Sequence, residues 1–194
     1  MIGLVIAGGK STRMGTDKSW ITYYKKPQVY EVYEMLQRFC TEVYISCNES
    51  QSAQFTPPHN TIIDGETYKN MGPMASLLTA FNAFPKTPIM TLACDYPLVQ
   101  LSDLQYLYNH RDTQSIATVY KNEAAHIPEP LIGIYESAIQ PFLLQNFSEG
   151  KYSLKELLIT HHAKQIIPSN SKILKSIDTP EDRDTLLNQL YKKV

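Results

Sequence analysis

Short apolar runs and stretches of helical spacing alternate along this chain from its first residues to its last. IGLVIA at 2–7 stops at paired glycines, as a buried strand does. Residues 28–39 carry Val29, Val32, Tyr33, Leu36 and Phe39 at helical spacing, with Pro27 near the start. EVYIS at 42–46 and NTIID at 60–64 read as two further strands, and Gly72-Pro73 open a helix that Pro85 closes. PIMTLAC at 88–94 is the most uniformly apolar run, the pattern of a strand buried on both faces. A helix over 101–111 is expected after a Ser102 cap. Residues 115–120 and 130–135 read as strands, and 136–147 as a helix interrupted or begun afresh at Pro141. KILKSID at 172–178 is predicted as a strand, and 180–193 as a helix opening on Pro180 and two acids.

Strands alternating with helices mean a mostly parallel sheet covered on both faces, a Rossmann-like three-layer αβα sandwich. The chain has 194 residues and shows no linker, charge block or internal repeat, so residues 1–194 are expected to form a single domain. In such sheets the ligand crevice lies beyond the carboxyl ends of the strands. A net charge of −1 gives no electrostatic case for nucleic acid or an acidic membrane as partner. No apolar run approaches the roughly 20 residues of a membrane span. The apolar start is short and lacks a basic lead-in, unlike a secretory signal. Three cysteines without C-x-x-C spacing argue against a disulfide framework or a zinc site, and a cytoplasmic setting is expected.

The stretch AGGKSTRMGTDK, immediately after the first strand, has the composition of a phosphate cradle. It is not a Walker loop, because the position that loop reserves for its first glycine is Leu4, inside the strand. It is not the dinucleotide fingerprint either, since Gly8 and Gly9 are adjacent and Gly15 comes too late. Adjacent glycines let backbone amides approach a polyphosphate. Arg13 can grip phosphate oxygens as a planar fork, and Lys18 can meet charge developing on a leaving group. A flexible strand-to-helix turn would need no such set of cations.

This stretch resembles the LAGGxSxRMGxDK opening of the MobA-type molybdenum cofactor guanylyltransferases, members of the nucleotidyltransferase superfamily. The resemblance recurs in order. GPMASLLTAF is similar to the family's GPLAGLxxAL, CDYPLV to CDMPFL, PEPLIGIY to xPLxALY, and SIDTPED to NxNTPED. It implies nucleotide contacts from Ile6, Ala7, Gly8, Gly9, Lys18, Asn48, Asp64 and Asp95. The catalytic set it implies is Lys18, Arg13 and Asp95, with Mg2+ held by Asp95 and by Asp178 as a second ligand. Magnesium takes hard oxygen ligands, commonly one or two carboxylates plus phosphate. Bland readings stand beside these: Asp95 as a turn residue, Asp178 as part of a helix start, Asn48 and Asp64 as ordinary turn polars. Ser76 replaces a family glycine, Ser176 an asparagine, and Asp178 an asparagine that is aspartate in related cytidylyltransferases. The five histidines show no metal spacing, and the thirteen tyrosines fall mostly at packing positions.

The implied reaction transfers GMP from GTP to the terminal phosphate of Mo-molybdopterin with release of pyrophosphate. The second substrate is expected near Glu129-Pro130, with transient contacts to other proteins of the cofactor pathway. Rivals are a molybdopterin cytidylyltransferase, another NTP:phosphate nucleotidyltransferase, or a catalytically silent nucleotide-binding adaptor. Retention of both Lys18 and Asp95 speaks against the adaptor, because binding alone does not need the pair.

Overall fold

The structure, a computed structural model, describes residues 1–7, 17–55, 57–68 and 71–191. β1 (Ile2–Ile6), β2 (Glu42–Cys47), β3 (Asn60–Ile63) and β4 (Ile89–Ala93) alternate with α1 (Gln28–Gln37), α2 (Glu49–Ser52) and α3 (Pro73–Ala83). α4 (Leu101–Asn109), β5 (Ala117–Asn122), β6 (Ile127–Tyr135), α5 (Gln140–Ser148), α6 (Leu154–Thr160), β7 (Lys164–Ile166) and α7 (Pro180–Tyr191) complete the order. The sheet runs β3-β2-β1-β4-β6-β5-β7. β6 is antiparallel to both its neighbours, and the remaining pairs are parallel.

From β1 the chain steps outward to β2 and β3, then returns to the far side of β1 as β4. Right-handed crossovers therefore put α1 and α3 on opposite faces. Phe39, just past α1, meets Tyr108 of α4 with ring centroids 5.7 Å apart. On the other face Gln140 of α5 donates to the Phe81 carbonyl of α3 at 2.9 Å. Three layers result, with β1 and β4 buried along their whole length. That explains their nearly continuous apolar sequences, broken in β4 by the buried Thr91: neither face meets water. Strand order reverses between β1 and β4, whose ends lie level because Ile6 pairs with both Ser46 and Ala93. A crevice beyond those two ends follows.

Several local expectations are corrected. Residues 172–178 are not a strand. Ser171–Leu174 form a 3-10 turn that buries Ile173 and Leu174, and the chain then crosses the sheet's end, where the Ile177 amide donates to the Asp95 carbonyl at 2.9 Å. The apolar spacing there reflects an irregular segment facing the core. α4 is capped by Gln100, not Ser102: the Gln100 amide bonds Asp103 at 2.8 Å in a capping box. α6 and the three-residue β7 lack any sequence expectation. Both are short, and β7 exists because it pairs with the edge of β5.

A second small apolar cluster joins Tyr23, Ile177 and Leu186, with Ile21, Leu98, Leu187 and Leu190 around it. It clamps α7 and the segment before it against residues 21–23. Cys40, Cys47 and Cys94 are free thiols. Among the described residues no helix is long and apolar enough to cross a membrane.

Candidate active site

Four sequence-predicted residues sit side by side where β1, β2, β3 and β4 end: Ala7, Asn48, Asp64 and Asp95. The alignment is held by main-chain bonds that continue past the strands, from Ala7 to Ser46 (3.1 Å), Asp64 to Cys47 (3.0 Å) and Cys94 to Ile6 (3.2 Å). Ile6 itself is a core residue, 6% exposed, whose carbonyl accepts the Cys94 amide. Gly8, Gly9 and Arg13 lie outside the described residues.

Lys18 is the hub. It opens a 3-10 turn over Lys18–Trp20 that Asp17 caps by accepting the Ser19 amide at 3.0 Å. Its ammonium lies 2.6 Å from Asp178 Oδ1 and 3.3 Å from Asp95 Oδ2. Residues 160 apart in sequence are thus brought to one point. Asp178 is fixed on its other side by the Ser176 hydroxyl, 2.7 Å from Oδ2. Tyr24 donates to the Pro97 carbonyl at 3.1 Å, tying the Lys18 segment to the turn after Asp95.

Electrostatics at this point are dominated by burial. Desolvation raises the pKa of Asp95, the Lys18 ammonium offsets part of that rise, and the nearby Asp178 carboxylate adds to it. Burial pushes Tyr23 up to about 12, with the Asp95 charge contributing. Next to Asp95, the buried Tyr96 hydroxyl bonds the Glu129 carboxylate, whose pKa is also raised by burial. Glu129 comes from the start of β6, the reversed strand, which is why it reaches the edge where the parallel strands end.

Asn48 and Asp64 serve the fold as well as the edge. The Asn48 side-chain oxygen accepts from the Gln51 amide (2.9 Å) and the Ser50 hydroxyl (2.6 Å), capping α2. That oxygen is thereby committed to the start of α2. Asp64 accepts the Ser46 hydroxyl at 2.6 Å and is also bonded by Ser76, while burial raises its pKa. Ser76, a departure from the family pattern, thereby gains a role: it supplies a donor to a half-buried carboxylate.

Sequence reasoning missed Ser19, Ser46, Gln51 and Ser176, the residues that hold the others. The spacing Asn48-x-x-Gln51 is a capping-box signal that could have found Gln51. Among the described residues no group of three or more His, Cys, Asp and Glu gathers closely enough to form a metal cage. Asp95 and Asp178 instead converge as a pair of hard oxygen donors on one cationic position.

Residues 3–165 match the MobA-like NTP transferase domain. A molybdenum cofactor biosynthesis bifunctional protein of Synechocystis sp. is 33% identical over 94% of this chain, which spans 52% of that protein's length. A molybdenum cofactor guanylyltransferase of Pseudomonas entomophila is 25% identical, with 92% of this chain and 93% of that protein aligned. Molybdopterin-guanine dinucleotide biosynthesis protein A from Archaeoglobus fulgidus shares the fold, with a TM-score of 0.77 at 21% identity over 99% of this chain and 100% of that one. The chain belongs to the MobA-like NTP transferase domain family.

Proposed function

We propose that this nucleotidyltransferase is a molybdenum cofactor guanylyltransferase, joining GMP from GTP to the terminal phosphate of Mo-molybdopterin and releasing pyrophosphate. The observation that carries the reading is Lys18 held between Asp95 and Asp178 at the switch point of the sheet. A site for binding alone has no need of a cation and two carboxylates drawn to one point from three distant segments. The names of the relatives support the substrate pair.

In the reaction a phosphate oxygen of the acceptor attacks the α-phosphorus of GTP, a new P–O bond forms, and the bond to pyrophosphate breaks. No protein nucleophile is needed; positioning and charge neutralisation lower the barrier. Lys18 turns from the carboxylates to the phosphates, where its charge meets the leaving pyrophosphate. Gly8, Gly9 and Arg13 add backbone and guanidinium contacts to the same phosphates. The Asn48 amide and the Asp64 carboxylate lie on the β2–β3 side, the side left for ribose and base. A carboxylate suits guanine, which presents adjacent N–H donors.

The donor set fits Mg2+: Asp95 and Asp178 offer hard oxygens around a point that already holds a positive charge. When bound there, the metal supplies charge neutralisation to the nucleotide phosphates. Glu129 and Tyr96 border the site on the β6 side, which we assign to the acceptor. The free thiols support a cytoplasmic setting.

A second reading, cytidylyl transfer, is favoured by Asp178, which stands where the guanylyltransferases usually have asparagine. Thermal shift against GTP, CTP, ATP and UTP with Mg2+ separates the two. A ligand at 100 times its dissociation constant stabilises the fold by about 2.7 kcal/mol, so the preferred base should rank first. A GTP preference supports the proposal and a CTP preference replaces it with the second reading.

A further inference from the structure

Ala7 and Asp17 flank residues 8–16 in the chain, and a closed circuit of hydrogen bonds ties both flanks to the turn between β2 and α2. The Ser19 hydroxyl donates to the Ala7 carbonyl at 3.3 Å, and the Ser19 amide donates to Asp17 Oδ1 at 3.0 Å. Asp17 Oδ2 accepts from Gln51 Nε2 at 2.6 Å. Gln51 Oε1 accepts the Asn48 amide at 3.2 Å, and the Gln51 amide returns a bond to Asn48 Oδ1 at 2.9 Å. The Ala7 amide, bonded to the Ser46 carbonyl at 3.1 Å, closes the circuit through β2.

Gln51 is the member that spans the gap. It is 5% exposed, and Ser19 is fully buried. α2 is a single turn of four residues, too short to hold itself in place, so its anchor is tertiary. The side chain at 51 must donate at one terminus and accept at the other, which a primary amide does and a carboxylate or an aliphatic chain does not. Its donor meets a charged acceptor, the stronger class of hydrogen bond.

We propose that Gln51 is a positioning residue for nucleotide binding. It couples Asp17, and through it Lys18, to Asn48, so that phosphate-side and base-side contacts are presented at a fixed separation. This rests on the reading above that Lys18 and Asn48 contact the nucleotide. Gln51 itself touches no substrate.

The test is a swap of bond polarity. Gln51→Glu keeps the acceptor for the Asn48 amide but sets a carboxylate against Asp17. Adding Asp17→Asn returns an N–H to that gap while its side-chain oxygen still accepts from Ser19. Two quantities are measured for each variant: KM and kcat for GTP, and exchange of the Ser19 amide in the nucleotide-free protein. Gln51→Glu is expected to raise KM about tenfold with kcat nearly unchanged, and to speed Ser19 exchange. The double variant is expected to recover most of both. Asp17→Asn alone, which keeps the Ser19 bond but sets an NH2 group against the Gln51 donor, breaks the same bond and serves where Gln51→Glu folds poorly. Unchanged KM and exchange in Gln51→Glu would overturn the proposal, as would losses that the double variant leaves unrepaired. A wild type that uses no nucleotide sinks the functional reading instead, and Ser19 exchange across the variants still decides whether Gln51 couples the two segments.

Discussion

The Lys18 ammonium sits 2.6 Å from Asp178 Oδ1, and the same nitrogen reaches Asp95 Oδ2 at 3.3 Å. One cation thus holds together the end of β4, the segment before α7 and the turn that follows residues 8–16. Lys18→Met and Asp95→Asn are each expected to lower nucleotidyl transfer by about two orders of magnitude or more, since the first removes the cation that meets the phosphates and the second a carboxylate that would hold the metal. Circular dichroism should show both variants folded, as neither residue belongs to the core. Transfer at wild-type rates in either would remove it from the site.

The shared ammonium also stands where the proposal places the metal. Lys18→Met leaves Asp95 and Asp178 without their common cation, so Mn2+ should bind the nucleotide-free variant about tenfold more tightly than the wild type, read by calorimetric titration. Equal affinity in the two proteins would mean that the carboxylates do not form the metal position.

Asp178→Asn separates charge from hydrogen bonding. Its amide oxygen still accepts from Ser176, which lies 2.7 Å from Asp178 Oδ2, while the charge opposite Lys18 is lost. The variant should keep activity within about tenfold of the wild type and Asp178→Ala should lose more, because alanine gives up the positioning bond as well. Equal losses in an initial-rate assay would assign the whole effect to charge.

Ser46→Ala tests the support of Asp64. Ser46 is fully buried and its hydroxyl lies 2.6 Å from Asp64 Oδ1. Removing that donor should cost about 1.5–3 kcal/mol in urea unfolding, the range for a hydrogen bond to a charged group. It should also raise the pKa of Asp64 further, because burial already pushes it up and Ser46 holds it down.

Glu129 gives a pH signature. Burial raises its pKa, so the folded protein keeps this proton to higher pH than the unfolded chain does. The associated stability is full below the ordinary value of 4.5 and is lost as pH rises through the raised one. Glu129→Gln, which can still accept from Tyr96, should therefore melt above the wild type near neutral pH. The two melting curves should converge toward about pH 4. A gap independent of pH would show that the effect is packing and not ionisation.

The parallel half of the sheet was legible because β1 and β4 are buried on both faces and write that burial as nearly continuous apolar runs. That Asn48, Asp64 and Asp95 come to one edge was legible because each follows a strand of the parallel half, and α/β topology lines those strand ends up. What the sequence hid was the contact made across distance. Nothing local in Gln51 announces a partner at Asp17. Residues 172–178 misled because Ile173, Leu174 and Ile177 are apolar for packing against the sheet's end, a demand that an irregular segment meets as well as a strand does. The reversed β6 was read as a strand, but its direction, which carries Glu129 to the edge where the parallel strands end, is a property of pairing.

The most direct measurement is pyrophosphate release by the purified protein with Mg2+, Mo-molybdopterin and each of GTP, CTP, ATP and UTP in turn. Release that requires both Mo-molybdopterin and GTP, and that Lys18→Met abolishes, is the expected result. Release driven best by CTP, or by none of the four, would contradict guanylyl transfer.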